Sequence, residues 1–400
     1  MLDPQDYTHL VSGMTVAKSD GLTLVTLPRQ AGDMAYFRWR WASRPVADAQ
    51  RAKSLELALN EAMRGRIAAT ATNAPKGKVK FQVLIDAVVA AGRCHPDGLL
   101  TLLSVLASSI AETMDSPPPT VPVSVTPAER ARRHVQAQTA GLSTSSSPPT
   151  VEHLPTGSGH TPDLGLSTLC IVGDFDAQAL EAGHAVLHRN PYPPALAEDL
   201  GTLEPPTPTV TVIEAADSRM ADVVMGQQIP ARGAPLGTAA DLALTALAGA
   251  HRSDLNVTLR EEHRLTYGVQ SSVAPLAGTS MYALWYSAPE SQAQQALALT
   301  RTAITSLRKR GVSPQRLSDL QTLRTGALVV SLDTSEGLCA CLSSLHLPGS
   351  QPDLIEYLRS YQSVSTDDLE AALDAFFNPD HMHVAVATNR HTALDWRTHG

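Results

Sequence analysis

Leu259-Arg260-Glu261-Glu262-His263-Arg264-Leu265-Thr266-Tyr267 marks the point where one sequence pattern gives way to another. Upstream, from Thr238 to Glu262, Leu242, Leu244, Leu247, Leu255 and Leu259 recur at helical spacing, which predicts one long helix. Downstream, Tyr267 to Val273 alternates and reads as a strand. The chain therefore turns between His263 and Thr266. Such a turn lets an arginine from the last helical turn and a tyrosine opening the strand project from one end of the junction into a common cleft. Each residue also has a plainer account: an arginine at a helix C-terminus is favoured by the macrodipole, and a tyrosine is ordinary strand filling.

Outward from this junction the second half reads as strands over Thr209 to Ala215 and Asp222 to Ile229, the long helix, then strands over Tyr267 to Val273 and Ser280 to Ser287. Helices are expected over Ser291 to Arg310 and Pro314 to Val330, through Leu345, over Leu354 to Ser363 and over Thr366 to Phe377, and His383 to Ala387 closes as a strand. The first half follows the same plan. Gly21 to Pro28 and Met34 to Ala42 read as strands joined in a hairpin, and Ala52 to Ile67 as a helix with Leu55, Leu59, Ala62 and Met63 on one face. Val79 to Ala87 is a strand, Gly98 to Met114 and Pro127 to Ala140 are helices, Gly141 to Gly165 a loop, Leu166 to Phe175 a buried strand and Ala177 to Leu187 a short helix. The expectation is an α+β protein of two repeated halves, each a mostly antiparallel sheet with helices packed on one face. Residues 1–190 form the first domain, the proline-rich stretch 191–208 the linker and residues 209–400 the second domain.

A 400-residue chain with 43% hydrophobic residues has apolar material for two cores. Its formal charge of −8 lacks the basic footprint that nucleic acid requires. Cys94, Cys170, Cys339 and Cys341 are too scattered for a disulfide framework, so a reducing compartment is expected. The N-terminus lacks the pattern of a signal peptide, and no apolar run reaches the roughly 20 residues of a membrane helix. The expected location is cytoplasmic, with no membrane partner. Arginine outnumbering lysine hints at a GC-rich bacterial genome. His381-x-His383 offers no third metal ligand, Cys339-x-Cys341 on a helix points two ways, and Lys76, Lys78 and Lys80 form a solvated strand face.

The words Leu-Arg-Glu-Glu, then Leu, then Tyr resemble the second-domain signature of the pitrilysin/insulinase family of zinc peptidases, the inverzincins. The resemblance implies that Arg260 and Tyr267 hold the substrate and the tetrahedral intermediate at a metal site facing them. His263-Arg264 departs from the family, where a basic residue followed by glycine commonly precedes the leucine, and Thr266 stands where a small residue is common. The family's zinc motif, His-x-x-Glu-His, falls here on Ala58-Leu59-Asn60-Glu61-Ala62, so both histidine positions are alanine and only Glu61 survives. The third ligand, a glutamate some seventy residues on, is replaced: Glu129 opens the helix, no acidic residue follows until Glu152, and Gln136 or Gln138 takes the position.

Loss of the zinc motif with retention of the arginine and tyrosine resembles the non-catalytic subunit of heterodimeric members, such as the alpha-type subunit of mitochondrial processing peptidase and paired bacterial relatives. This implies no metal in this chain, zinc in a homologous partner subunit, a peptide substrate, and no stand-alone activity. The other expectation is a catalytically silent structural or peptide-binding relative.

Overall fold

A computed structural model of the chain describes residues 4–19, 21–29, 32–43, 47–69, 77–115, 123–141, 162–176, 180, 207–216, 218–234, 236–276, 278–347, 353–389, 394 and 396. The first half supplies β1 (Thr15–Ser19), β2 (Leu22–Pro28), β3 (Ala35–Ser43), α1 (Ala49–Ala69), β4 (Gly77–Val83), β5 (Ala87–Cys94), α2 (Leu99–Asp115), α3 (Pro127–Thr139) and β6 (Pro162–Gly173). The second supplies β7 (Val210–Glu214), β8 (Met220–Pro230), a segmented helical run opening with α4 (Gly237–Leu244), β9 (Gln270–Leu276) and β10 (Thr279–Pro289). It continues with α5 (Ala293–Arg310), α6 (Pro314–Leu332), α7 (Ser335–Leu345), α8 (Leu354–Ser363), α9 (Thr366–Phe376) and β11 (His383–Thr388). Among the described residues no single helix is both long and apolar enough to cross a membrane.

The duplication is explicit in the sheets. Their strand orders are β1-β2-β6-β3-β5-β4 and β7-β11-β8-β10-β9. With β1 set aside the two coincide, β2 on β7, β6 on β11, β3 on β8, β5 on β10 and β4 on β9. Each sheet has one parallel pair, β2 with β6 and β7 with β11, and its other pairs are antiparallel. α1 follows β3 just as the segmented run follows β8.

Several expectations are corrected. The first two long strands do not form a hairpin, because β6 lies between them, with Leu169 opposite Leu24 of β2 and Trp39 of β3. A strand apolar on both faces is best placed centrally, and that non-local pairing leaves no local signal. The single strand expected over Val79 to Ala87 is two, β4 and β5, joined by a turn closed by Leu84 N–H donating to Ala87 O at 2.8 Å. β6 begins at Pro162, inside the stretch expected to be loop. The linker 191–208, apart from residues 207 and 208, and the helix expected over 177–187, apart from Leu180, lie outside the described residues.

Alternation along the strands divides each sheet between two cores. In the first, Leu22, Leu24, Phe37, Leu169 and Ile171 meet α1 and α2, which contribute Leu55, Leu59, Leu102 and Leu106. Val25, Leu27, Cys170 and Val172 face the other way, onto a core shared with the second half, where α7 covers β6 and β3 with Leu338, Cys339 and Leu342. The second sheet mirrors this. Val223, Met225, Leu284, Val384 and Val386 join that same shared core, while Val224, Ala385 and Ala387 meet Ala131 and Val135 of α3, a first-half helix. Each half thus lends one helix to the other's sheet. Gly226 of β8 makes room for the loan: a Cβ there would lie 2.6 Å from Tyr282 O and 2.9 Å from Val135 Cγ1.

Candidate functional site

Of the stripe expected on α1, Leu55, Leu59 and Met63 are buried against the first sheet, joined by Ala52, while Ala62 is only half-buried. The register of α1 is set by Asn60, whose amide donates to Glu56 O at 2.7 Å and accepts from Phe81 N–H of β4 at 3.1 Å. Ala58 and Ala62 are consequently half-buried and Glu61 exposed. α1 also touches α3, where Lys53 lies 4.0 Å from Glu129, and Gln136 and Gln138 are half-buried on α3. Two methyl groups and one solvated carboxylate do not make a zinc donor set. Among the described residues no group of three or more His, Cys, Asp or Glu side chains is placed to hold a metal ion.

The Arg260–Tyr267 junction is differently built from its expected form. The long helix is interrupted: α4 passes into a π-helical turn over Thr245–Gly249, the chain becomes extended at Ala250, and a second π-helical segment runs over Asn256–Glu262. Asn256 accounts for the interruption. Its side-chain amide donates to Ala250 O at 2.9 Å and to Ser253 Oγ at 3.1 Å, adding to the Ser253 N–H that the Ala250 carbonyl already accepts at 3.0 Å. The same side chain accepts from Val269 N–H at 2.9 Å, tying the break to the entrance of β9.

The helix ends with His263 N–H donating to Thr258 O at 3.1 Å and Leu265 N–H to Leu259 O at 2.7 Å. Between them Arg264 adopts φ +54°, the left-handed conformation that favours glycine, at the position where the resemblance places one. Strand β9 begins only at Gln270, so Tyr267 belongs to the connecting turn and not to a strand. Leu265 and Val269 are buried on either side, Thr266 Oγ1 accepts from Gly268 N–H at 3.3 Å, and the Tyr267 side chain between them is 97% exposed. A large aromatic held out by a turn anchored at both ends is not strand filling.

Arg260 is exposed, and its Nη1 donates to His251 Nδ1 at 3.0 Å; His251 Nε2 lies 4.0 Å from Glu261. The interruption therefore presents His251 to Arg260 and fixes Tyr267 through Asn256. Neither residue stands out in the sequence, because an uninterrupted helix gives both only solvent or packing roles. A cleft of about 320 Å³ opens beside the break, bordered by Ala250, Ser253, Arg316 and Leu323.

The other sequence features are structural. His383 is buried, its Nδ1 accepting from Thr209 N–H at 3.3 Å, while His381 lies on an exposed 3-10 turn. Cys339 and Cys341 are buried against the shared core. Lys78 and Lys80 are exposed on β4, and Lys76 lies outside the described residues.

Residues 165–323, which contain the whole junction, match the family described as Peptidase M16 inactive domain. No curated protein matches the sequence. Among solved structures the chain is similar to a peptidase M16 inactive domain from Pseudomonas fluorescens, at 19% identity and TM-score 0.69 over 94% of this chain and 98% of that one. It is similar to a protease from Helicobacter pylori, at 13% identity and TM-score 0.67 over 94% and 99%. A chain of complex III2 from Candida albicans is also similar, at 12% identity and TM-score 0.65 over 96% and 98%. Over residues 165–323 the chain is thus similar to the peptidase M16 inactive domain, and along nearly its whole length it shares the fold of the solved structure of such a domain.

Proposed function

We propose that this chain is the non-catalytic subunit of a two-chain zinc peptidase, lending Arg260 and Tyr267 to the active site of a homologous, zinc-bearing partner. The observation that carries this reading is the 97% exposure of Tyr267 on a turn anchored by Leu265, Thr266 and Val269. Nothing within the chain's own α1 gives that phenol a reaction to assist, since Ala58 and Ala62 supply no ligand atoms. In a partner's site the Tyr267 O–H donates to the oxygen that gains charge when a peptide carbonyl is attacked. The Arg260 guanidinium, aimed by His251, holds neighbouring substrate carbonyls.

The test is reconstitution with a homologue that has an intact His-x-x-Glu-His helix, followed by steady-state kinetics on one fluorogenic peptide. Tyr267→Phe keeps the ring and deletes the donor, so assembly is retained while kcat falls by about 100- to 1,000-fold. Arg260→Ala raises KM as well. Failure of the two chains to assemble, or turnover by Tyr267→Phe within a few-fold of the parent, sinks the reading in favour of a silent structural or peptide-binding relative.

A further inference from the structure

The break at Ala250 does more than place His251 beside Arg260. The residues on either side of that histidine, Ala250 and Arg252, both border the cleft of about 320 Å³ that lies between the break and α6. Its floor is apolar: Ala246 and Leu320 are buried, Ala250 is half-buried, and Leu323, 48% exposed, forms an apolar rim. The polar side chains of the floor already have partners. Thr245 Oγ1 donates to Asp241 O at 2.8 Å, and Ser253 Oγ accepts from Asn256 Nδ2 at 3.1 Å. An occupant of the floor is therefore rewarded for apolar surface, not for hydrogen bonds.

The mouth of the cleft is charged unevenly. Asp254 accepts from both Arg316 and Arg310, at 2.6 and 2.5 Å, so one carboxylate offsets two guanidiniums. Arg252 is exposed, and among the described residues no ion pair or hydrogen bond holds it. Asp319, on the α6 side, accepts from Gln315 Nε2 at 3.0 Å and repels a second carboxylate, which leaves the Arg252 side of the mouth as the place for one. On a chain of formal charge −8, an unpaired cation thus stands at the opening of an apolar hole.

We propose that this cleft is a side-chain subsite for the peptide substrate, taking a large apolar residue whose neighbour in the peptide is an aspartate or glutamate paired with Arg252. The occupant is a peptide because the loop that borders the cleft is the loop that aims Arg260, and in this the proposal rests on reading Arg260 as a substrate contact. A chain held by that guanidinium passes Arg252 and lowers one side chain between Ala250 and Leu323.

The full chain, without any partner, is titrated into four fluorescein-labelled peptides and binding is read by fluorescence anisotropy. The peptides share the frame Gly-Ala-x-x-x-Ala-Gly and carry Glu-Leu-Glu, Gln-Leu-Gln, Glu-Ala-Glu or Lys-Leu-Lys at its centre. Glu-Leu-Glu should bind tightest, with Gln-Leu-Gln and Glu-Ala-Glu each weaker by about tenfold and Lys-Leu-Lys weaker still. Arg252→Gln should erase the advantage of Glu over Gln while keeping that of Leu over Ala, and Leu323→Gln should do the reverse. Both side chains are exposed, so neither change threatens folding. No saturable binding up to about 1 mM, equal affinity for Glu-Leu-Glu and Gln-Leu-Gln, or an unaltered preference in Arg252→Gln overturns the subsite. Arg260→Ala should weaken all four peptides alike. Peptides that it weakens but that the chain does not discriminate overturn the subsite alone, whereas discrimination and affinity that it leaves untouched overturn the substrate role of Arg260 alone.

Discussion

The two exchanged helices do the same job with different chemistry. α7 lies on the first sheet through small and apolar side chains, Leu338, Cys339 and Leu342. α3 lies on the second sheet through a narrow apolar strip, Ala131 and Val135, bordered by polar anchors. Arg130 donates to Glu214 O at 2.7 Å and Arg132 stacks over Trp285 at 4.9 Å, while Arg133 ties the helix back to its own half, donating to Val83 O at 2.9 Å and Leu84 O at 2.8 Å. Burial lowers Arg133 to about 10, while Asp86, Asp48 and Glu56 pull it back up. His134 Nε2 meets Thr211 Oγ1 at 2.9 Å and His383 takes the Thr209 contacts on the same face. One seam is thus held by exclusion of water, the other by a thinner apolar strip together with directional contacts, one of them made by a histidine. That difference teaches that duplication preserved the exchange of helices without preserving the forces behind it.

The largest expected effect breaks the apolar seam. Leu342 is fully buried, so Leu342→Ala should cost about 2–5 kcal/mol, read from urea unfolding. Because no charge is involved, the loss should be the same at pH 7 and pH 5.

The polar seam should weaken with acid. Burial and the nearby His134 lower His383 from 6.5 to about 4, and burial lowers His134 as well. Above pH 6.5 His383 is neutral in both states and its contribution is intact. As pH falls toward 4 the unfolded chain takes up a proton that the folded chain refuses, so stability drops, by up to about 3 kcal/mol from this group. Urea titrations across that range should show His383→Gln flattening this part of the slope; an unchanged slope contradicts the assignment.

The smallest effect separates the helix starts. Thr126 caps α3 within a full capping box, accepting from Glu129 N–H while the Glu129 carboxylate accepts from Thr126 N–H at 2.8 Å. Thr334 caps α7 alone, accepting from Gly337 N–H at 3.0 Å. Thr126→Ala should cost about 1 kcal/mol and Thr334→Ala roughly half that, in thermal melts of the two variants side by side.

Local pattern made most elements legible. The leucines of α1 and α2 and the alternation in β2, β3 and β8 each declare a period and a buried face. What stayed hidden was set by distant partners. Nothing in Gly21 to Ala42 announces that β6 will separate its two strands, and nothing in Val135 or Leu342 says which sheet each will cover. The interruption near Ala250 was masked because Leu242 to Leu259 keeps a helical rhythm, while the residue that stabilises the break, Asn256, reads as an ordinary polar position. At the candidate site Arg260 and Tyr267 stand out only through the resemblance of the words around them to a family signature, and the residues that support them do not stand out at all. His251 gains its role only once the helix breaks, and the exposure of Tyr267 depends on β9 starting three residues later than alternation suggests.

The exchange of α3 and α7 also sets a timetable on the ribosome. The first sheet has all its strands once β6 has emerged, yet the helix that covers its second face is encoded at residues 335–345. Until then Val25, Leu27, Cys170 and Val172 are exposed to whatever else is in the cell. The first half therefore cannot bury that face until residues 335–345 have been made. Cutting the gene between the halves yields two polypeptides, each with one naked sheet face and one stray helix, that become soluble only by finding each other.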